Sequence, residues 1–270
     1  MVVITFCCVT FVLQVHIVYS STYKVVNSGL HEVPPDIPSD TTVINIHGNS
    51  INNINPTDFQ HIQNLQELYL HENLLTKWPN ISGHLKPDLV RMHLGGNLIT
   101  EVSESDTAGY TSLENILLYQ NMLTEFPELG DAKRSLIFLN IAYNQIEYID
   151  KNCFKGMDKL TKLVMHGNQL SQIPDFHYLN LTRFEKINIK VNPIKMIWPW
   201  TIGRFGATQT DALQMDLATV TCDCRAIFHA QFLLRNTHLA LSITCDSPVS
   251  LQGLRVDTEV PEDDLVCQGE

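Results

Sequence analysis

The 270-residue sequence predicts an α/β solenoid: a curved parallel β-sheet on a concave face, irregular or helical returns on a convex face, and a disulfide-bonded C-terminal cap. Three observations predict it. Asparagines stand at Asn49, Asn73, Asn97, Asn121, Asn144, Asn168 and Asn192, separated by 24, 24, 24, 23, 24 and 24 residues. The positions five and three before each asparagine, and two after it, are aliphatic or Met in every copy, from Ile44, Ile46 and Ile51 to Ile187, Ile189 and Ile194. Four cysteines, Cys222, Cys224, Cys245 and Cys267, cluster after the period ends. A near-fixed period of this length marks stacked turns, each too small to bury a core alone.

The first twenty residues, MVVITFCCVTFVLQVHIVYS, hold no Lys, Arg, Asp or Glu and run apolar from Val2 to Leu13, with Val18 and Ser20 at small-residue cleavage positions. Residues 1–20 read as a secretory signal peptide cut after Ser20, although the usual basic start is missing. Gln14 and His16 interrupt the run, shortening it below the ~20 residues of a membrane span. No second apolar run follows, and the last cysteine stands three residues from the end, so neither a C-terminal span nor a lipid-anchor signal is expected. The expected localisation is secreted and extracellular, with no membrane span after cleavage. Residues 21–40 read as an N-terminal cap lacking cysteines, held by packing and strand pairing alone and expected to be the looser end.

Residues 41–208 hold the repeats, seven regular and then one irregular region, with copies beginning at Thr41, Leu65, Leu89, Leu113, Leu136, Leu160 and Phe184. In LQELYLHENLL, leucines at 65, 68, 70, 74 and 75 fit neither a helical nor a strand period along the whole stretch. The spacing instead describes a corner: Leu68 and Leu70 point inward from a short strand, Asn73 turns the chain, and Leu75 points back into the core. An asparagine amide carries both donor and acceptor, so it satisfies backbone groups that a buried turn leaves unpaired. Prolines in TKWPN, TEFPEL and SQIPD deny those returns a regular helix, whereas INPTDFQHI and IDKNCFKGM carry the Phe of a more helical return. ALQMDLATVTCDC reads as a truncated eighth repeat.

The pattern LxxLxLxxNxL at this period resembles the leucine-rich repeat family over roughly residues 41–200. GLHEVPPDIPSDTTVINIHGN resembles the last part of the N-terminal cap of Slit-type proteins and small leucine-rich proteoglycans, although those caps carry cysteines and YKVVNSG has none. TCDCRAIFHAQFLLRN, CDSPVSLQGLRV and a final cysteine resemble the cysteine-rich C-terminal cap of extracellular leucine-rich repeat proteins, placing that cap at 209–270. Four cysteines allow three pairings, of which Cys222 with Cys224 is geometrically poor, and a zinc site is the alternative. The resemblance implies Cys222 with Cys245 and Cys224 with Cys267. Cys153 is left over, either a small buried apolar residue beside Phe154 or an intermolecular thiol.

Inside alternates with outside along a strand, so residues six, four and two before each asparagine form outward columns on one sheet. Leu117, Tyr119, Phe138 and Val164 should gather on the open side, an apolar patch of the kind that marks a partner site. Tyr69, His71 and His93, with Glu67 and Glu72, form a polar and aromatic rim, and Tyr143 and His166 extend the candidate face. His47, His71 and His93 stand close enough for zinc, or for pH sensing near an ordinary pKa of about 6.5. They have no fixed carboxylate support, so no metal is assigned. The glycosylation acceptors Asn80-Ile81-Ser82 and Asn180-Leu181-Thr182 fall on returns and leave the concave sheet uncovered.

A chain 44% hydrophobic and 17% charged has ample core material, and a formal net charge of -11 disfavours nucleic acid as partner. GxSxG, HExxH, phosphate-loop and dinucleotide patterns are absent, and a solenoid offers an extended face rather than an enclosed pocket. No catalysis and no cofactor are expected. The expected function is a secreted, non-enzymatic recognition module binding a protein ligand or receptor on its concave sheet. The alternatives are a self-associating matrix or adhesion component, as a homodimer, and an accessory subunit of a secreted complex. Fold analogy does not choose the partner.

Overall fold

The computed structural model describes residues 2–6, 9–13, 21–195, 213–215, 219–222, 226, 230, 243–256 and 258–260. Near the N-terminus, β1 (Val2–Phe6) and β2 (Val9–Leu13) pair antiparallel. The expected cleavage positions, Val18 and Ser20, lie outside the described residues.

Short apolar stretches spaced a whole repeat apart stack as a nine-stranded parallel sheet. Its strands are β3 (Thr22–Lys24), β4 (Val43–Asn45), β5 (Glu67–Tyr69), β6 (Arg91–His93), β7 (Asn115–Leu117), β8 (Phe138–Asn140), β9 (Lys162–Val164), β10 (Lys186–Asn188) and β11 (Leu213–Gln214), in the same order in space as in sequence. Equivalent positions face one another: Ile44, Leu68 and Met92 align across β4, β5 and β6. β11 supplies the eighth repeat strand, with Leu213 opposite Ile187 and Met215 buried. The irregular region 196–208 lies outside the described residues.

The inward positions form the core. The fourteen residues five and three before the asparagines are at most 2% exposed, and those two after are at most 4%. Each buried aliphatic side chain contributes about 1.5–3 kcal/mol. On the convex side the returns are 3-10 turns, at Gly83–Leu85, Asp131–Arg134, Lys151–Phe154 and Leu181–Arg183. Lys151–Phe154 is capped by Asp150, which accepts from Asn152 N–H at 2.8 Å, while the return around Phe59 forms turns only. Along the returns Phe154 meets Phe126 edge-on at 5.2 Å and Phe176 at a tilt at 5.3 Å, and Trp78 meets Tyr110 edge-on at 5.9 Å. Cys153 is half-buried against this core, and burial raises its thiol pKa.

The asparagines form a continuous ladder. Asn73 donates to the Ile46 and Leu70 carbonyls at 3.1 and 3.0 Å and accepts from Ile51 N–H at 3.0 Å. Asn97 repeats this with Leu70, Leu94 and Leu75, and Asn168 with Ile141, Met165 and Ile146. Each amide therefore ties its own corner to the preceding one. The residue before each asparagine is left-handed: Gly48, Glu72, Gly96, Gln120, Tyr143, Gly167 and Val191 have φ between 53° and 69°. This turn swings the asparagine inward, and the four non-glycine residues there carry the penalty of about 1–2 kcal/mol of that conformation.

The same ladder corrects the expectation for the N-terminal cap. β3 pairs with β4 and Ile37 is buried, but packing and pairing do not act alone. Asn49 accepts from Ser28 N–H and Leu30 N–H and donates to the Val25 carbonyl. At the other end β12 (Thr219–Thr221) pairs parallel with β13 (Thr244–Ser247), and a buried disulfide joins Cys222 to Cys245 with Cα atoms 5.4 Å apart. Cys224 and Cys267 lie outside the described residues.

Candidate functional site

Residues that alternate with the core positions emerge on the concave side, where side chains from neighbouring repeats stand about 4.8 Å apart. In the first four repeats they form a row of rings. His47 stacks on His71 at 4.1 Å and 12°, and His71 stacks on His93 at 3.9 Å and 20°. His93 continues to Tyr119 at 5.5 Å, with 3.1 Å between its Nε2 and the Tyr119 hydroxyl, while Tyr69 sets its edge against both His71 and His93. Asn45 Oδ1 fixes the outer end, 2.7 Å from His47 Nδ1.

Gly95 makes the row fit. It occupies the column of His71 and Tyr119, and a Cβ on it would lie 2.5 Å from the Tyr119 ring. With that side chain missing, Tyr119 lies over the Gly95 backbone beside His93. Next to the row Arg91 bridges Glu67 at 3.3 Å and donates to the Tyr69 hydroxyl at 2.9 Å, and that hydroxyl also donates to Glu67 through a short bond. Gly95 and Arg91 were not marked by sequence reasoning. The signal available was the glycine standing between His71 and Tyr119 in that column.

Burial keeps His71 and His93 neutral. Burial, then the neighbouring His47, lowers His71 to about 4 against a weaker opposing pull from Glu72. Burial, with His71, His47 and Arg91 adding to it, lowers His93 to about 3. Burial also raises Tyr69 and Tyr119 above the ordinary phenol value. Stacked rings present faces to one another and their lone pairs lie in the ring planes, so the nitrogens do not converge on a cation. Among the described residues no group of three or more His, Cys, Asp or Glu side chains is arranged to hold a metal. His71 Nδ1 is buried with no hydrogen-bond partner.

The predicted face divides. Tyr69, His71, His93 and Tyr119 are joined, and Leu117 and Phe138 stand half-buried beyond them. Val164 is a correction: it was expected in an open patch and is 6% exposed. Its short branched side chain sits between the longer Asn140 and Asn188 in register. Tyr143 belongs to the left-handed corner position rather than to a column; it is 51% exposed, leans over Gly167, and meets the His166 ring edge-on at 4.6 Å. His166 is held below the ordinary value by burial and then by Lys186.

No family model matches the chain. It is 33% identical over 173 residues to the human leucine-rich repeats and immunoglobulin-like domains protein 1, a match covering 63% of this chain and 16% of that protein's length. The crystal structure of human 5T4 (Wnt-activated inhibitory factor 1, trophoblast glycoprotein) superposes with a TM-score of 0.65 at 21% identity, over 91% of this chain and 95% of that one. The chain has the leucine-rich repeat solenoid fold. Among the described residues no helix is long and apolar enough to cross a membrane.

Proposed function

We propose that the chain is a secreted, non-enzymatic recognition module that binds a protein ligand or receptor on its concave sheet. The observation that carries this reading is the ordered row of five rings from His47 to Tyr119. Rings already stacked lose little freedom on binding, and aromatic anchors of this type dominate interface energies. Leu117 and Phe138 extend the row with half-buried apolar surface. Val164 drops out of the contact set, and Tyr143 with His166 forms a separate contact at the edge.

Secretion is supported by the apolar leader and by the buried Cys222–Cys245 disulfide, which suits an oxidising compartment. Asn80 and Asn180 are both exposed on convex returns, and the Thr182 hydroxyl donates to Asn180 Oδ1 at 2.7 Å. Glycans there would leave the concave face clear. The test is binding of a partner captured from extracellular fluid and identified by mass spectrometry. Tyr119→Ala and Phe138→Ala should each weaken affinity by about 2 kcal/mol, roughly 30-fold, with the thermal midpoint measured alongside. Unchanged affinity in both variants discards this face.

A further inference from the structure

The position just past each ladder asparagine holds Ser50, Leu74, Leu98, Met122, Gln145, Gln169 and Pro193. Its backbone belongs to the scaffold. The N–H groups of Leu74, Leu98 and Met122 donate to the Ile51, Leu75 and Ile99 carbonyls at 2.9 Å, and Gln145 and Gln169 make the same bond to Leu123 and Ile146. The following residue is buried in every repeat, so the side chain at this position faces out. Ser50, Gln145 and Gln169 show that the position takes a polar residue. Leu74, Leu98 and Met122 are nevertheless apolar and 45%, 42% and 43% exposed.

Three such side chains in consecutive repeats form a ridge along the edge of the sheet, outside the concave columns. The fold does not require them to be apolar, and aligned apolar exposure marks a contact surface more strongly than scattered residues do. The charges that flank the ridge in sequence are mainly negative: Glu72 ahead of it and Glu101, Glu125 and Glu147 within three residues past the ridge position, all exposed, against Lys77. The rigid ladder beneath keeps the ordering cost of contact low.

We propose that the ridge of Leu74, Leu98 and Met122 is a second docking surface, for a protein segment that carries apolar side chains interspersed with Lys or Arg. Apolar contact supplies the attraction along the ridge. The glutamate fringe sets orientation and rejects acidic segments. The ridge shares no residue with the concave row, so either surface can fail while the other stands.

The probes are two short amphipathic peptides, one of Leu and Lys and one of Leu and Glu, titrated into the full chain by fluorescence anisotropy. Leu74→Gln/Leu98→Gln/Met122→Gln borrows the residue found at positions 145 and 169 and leaves the net charge unchanged. The Leu/Lys peptide should bind the unaltered chain at least ~10-fold more tightly than the Leu/Glu peptide, and the triple variant should lose that affinity ~10-fold or more. Glu101→Gln/Glu125→Gln/Glu147→Gln should bring the two peptides together. The single variant Leu98→Gln should lose ~3-fold with an unchanged thermal midpoint, which separates a lost contact from a lost fold. Equal binding by the triple variant, or preference for the acidic peptide, overturns the proposal. Sedimentation of the chain alone is the remaining arm: a monomer agrees with a foreign basic segment, and a dimer that dissociates in the triple variant assigns the ridge to a second copy and overturns it.

Discussion

From His47 to Tyr119 the concave face is a row of rings packed on one another, whereas from Phe138 to Lys190 it has no such row and is basic. In the first stretch rings cover rings, Arg91 lies against Glu67, and burial keeps His71 and His93 neutral. In the second, Lys162 reaches Glu185 at 2.9 Å, Lys186 is half-buried and Lys190 is exposed, on a chain whose net charge is -11. The backbone beneath is the same in both, with the same asparagine bonds and the same left-handed corners. The scaffold is therefore indifferent to what it displays, and the character of the face is set by the column residues and by the gap at Gly95.

The comparison breaks at its root if the two stretches do not share a scaffold. Asn97→Ala strands the Leu75 N–H and removes one of the two asparagine donors to each of the Leu70 and Leu94 carbonyls, and Asn168→Ala strands the Ile146 N–H and does the same to the Ile141 and Met165 carbonyls. Each should lose about 2–3 kcal/mol in urea unfolding, as expected for one buried N–H left unpaired and two further hydrogen bonds lost. A large loss at one site and a small one at the other contradicts a common ladder.

Gly95→Ala sharpens the contrast next. Ala142 occupies the same column in the second stretch, so the backbone accepts a Cβ there. At Gly95 that Cβ meets the Tyr119 ring at 2.5 Å, and a loss of about 2 kcal/mol should follow from displacing it. A loss much smaller than this, by thermal or urea unfolding, means Tyr119 is not seated as described.

Acid should then separate the stretches. His71 and His93 titrate near 4 and 3 in the folded chain and near 6.5 when unfolded, so below about pH 6.5 the unfolded chain binds more protons. Stability should fall as pH drops through that window and level off below about 3, by linkage. His93→Gln should flatten the pH dependence of the urea midpoint; an unchanged slope places the effect elsewhere. The smallest effects are at the corners. Glu72→Gly in the first stretch and Val191→Gly in the second both relieve a left-handed side chain and should each gain about 1 kcal/mol. A gain in one and a loss in the other shows that the corners are not equivalent.

The repeat, the inward positions and the eighth strand were all legible from spacing, because burial and pairing recur at every asparagine. The disulfide from Cys222 to Cys245 followed from the family resemblance. The corner conformation was not legible, since Glu72, Gln120, Tyr143 and Val191 carry no sign of left-handed backbone. Val164 was misplaced because alternation tells which side of a strand a residue faces and not how tall its neighbours are. The ring row was read only in parts: the histidine columns were visible, but the seat for Tyr119 depended on an absent side chain at Gly95. The ridge at Leu74, Leu98 and Met122 was hidden by the leucines around it, which share its residue type but point inward.

The most direct measurement is photo-crosslinking in the extracellular fluid. Phe138→benzoylphenylalanine places the probe on the concave sheet, and Tyr178→benzoylphenylalanine places it on an exposed convex return. A concave working face predicts one partner protein captured from position 138 and not from position 178. Capture of that partner from position 178 alone contradicts it.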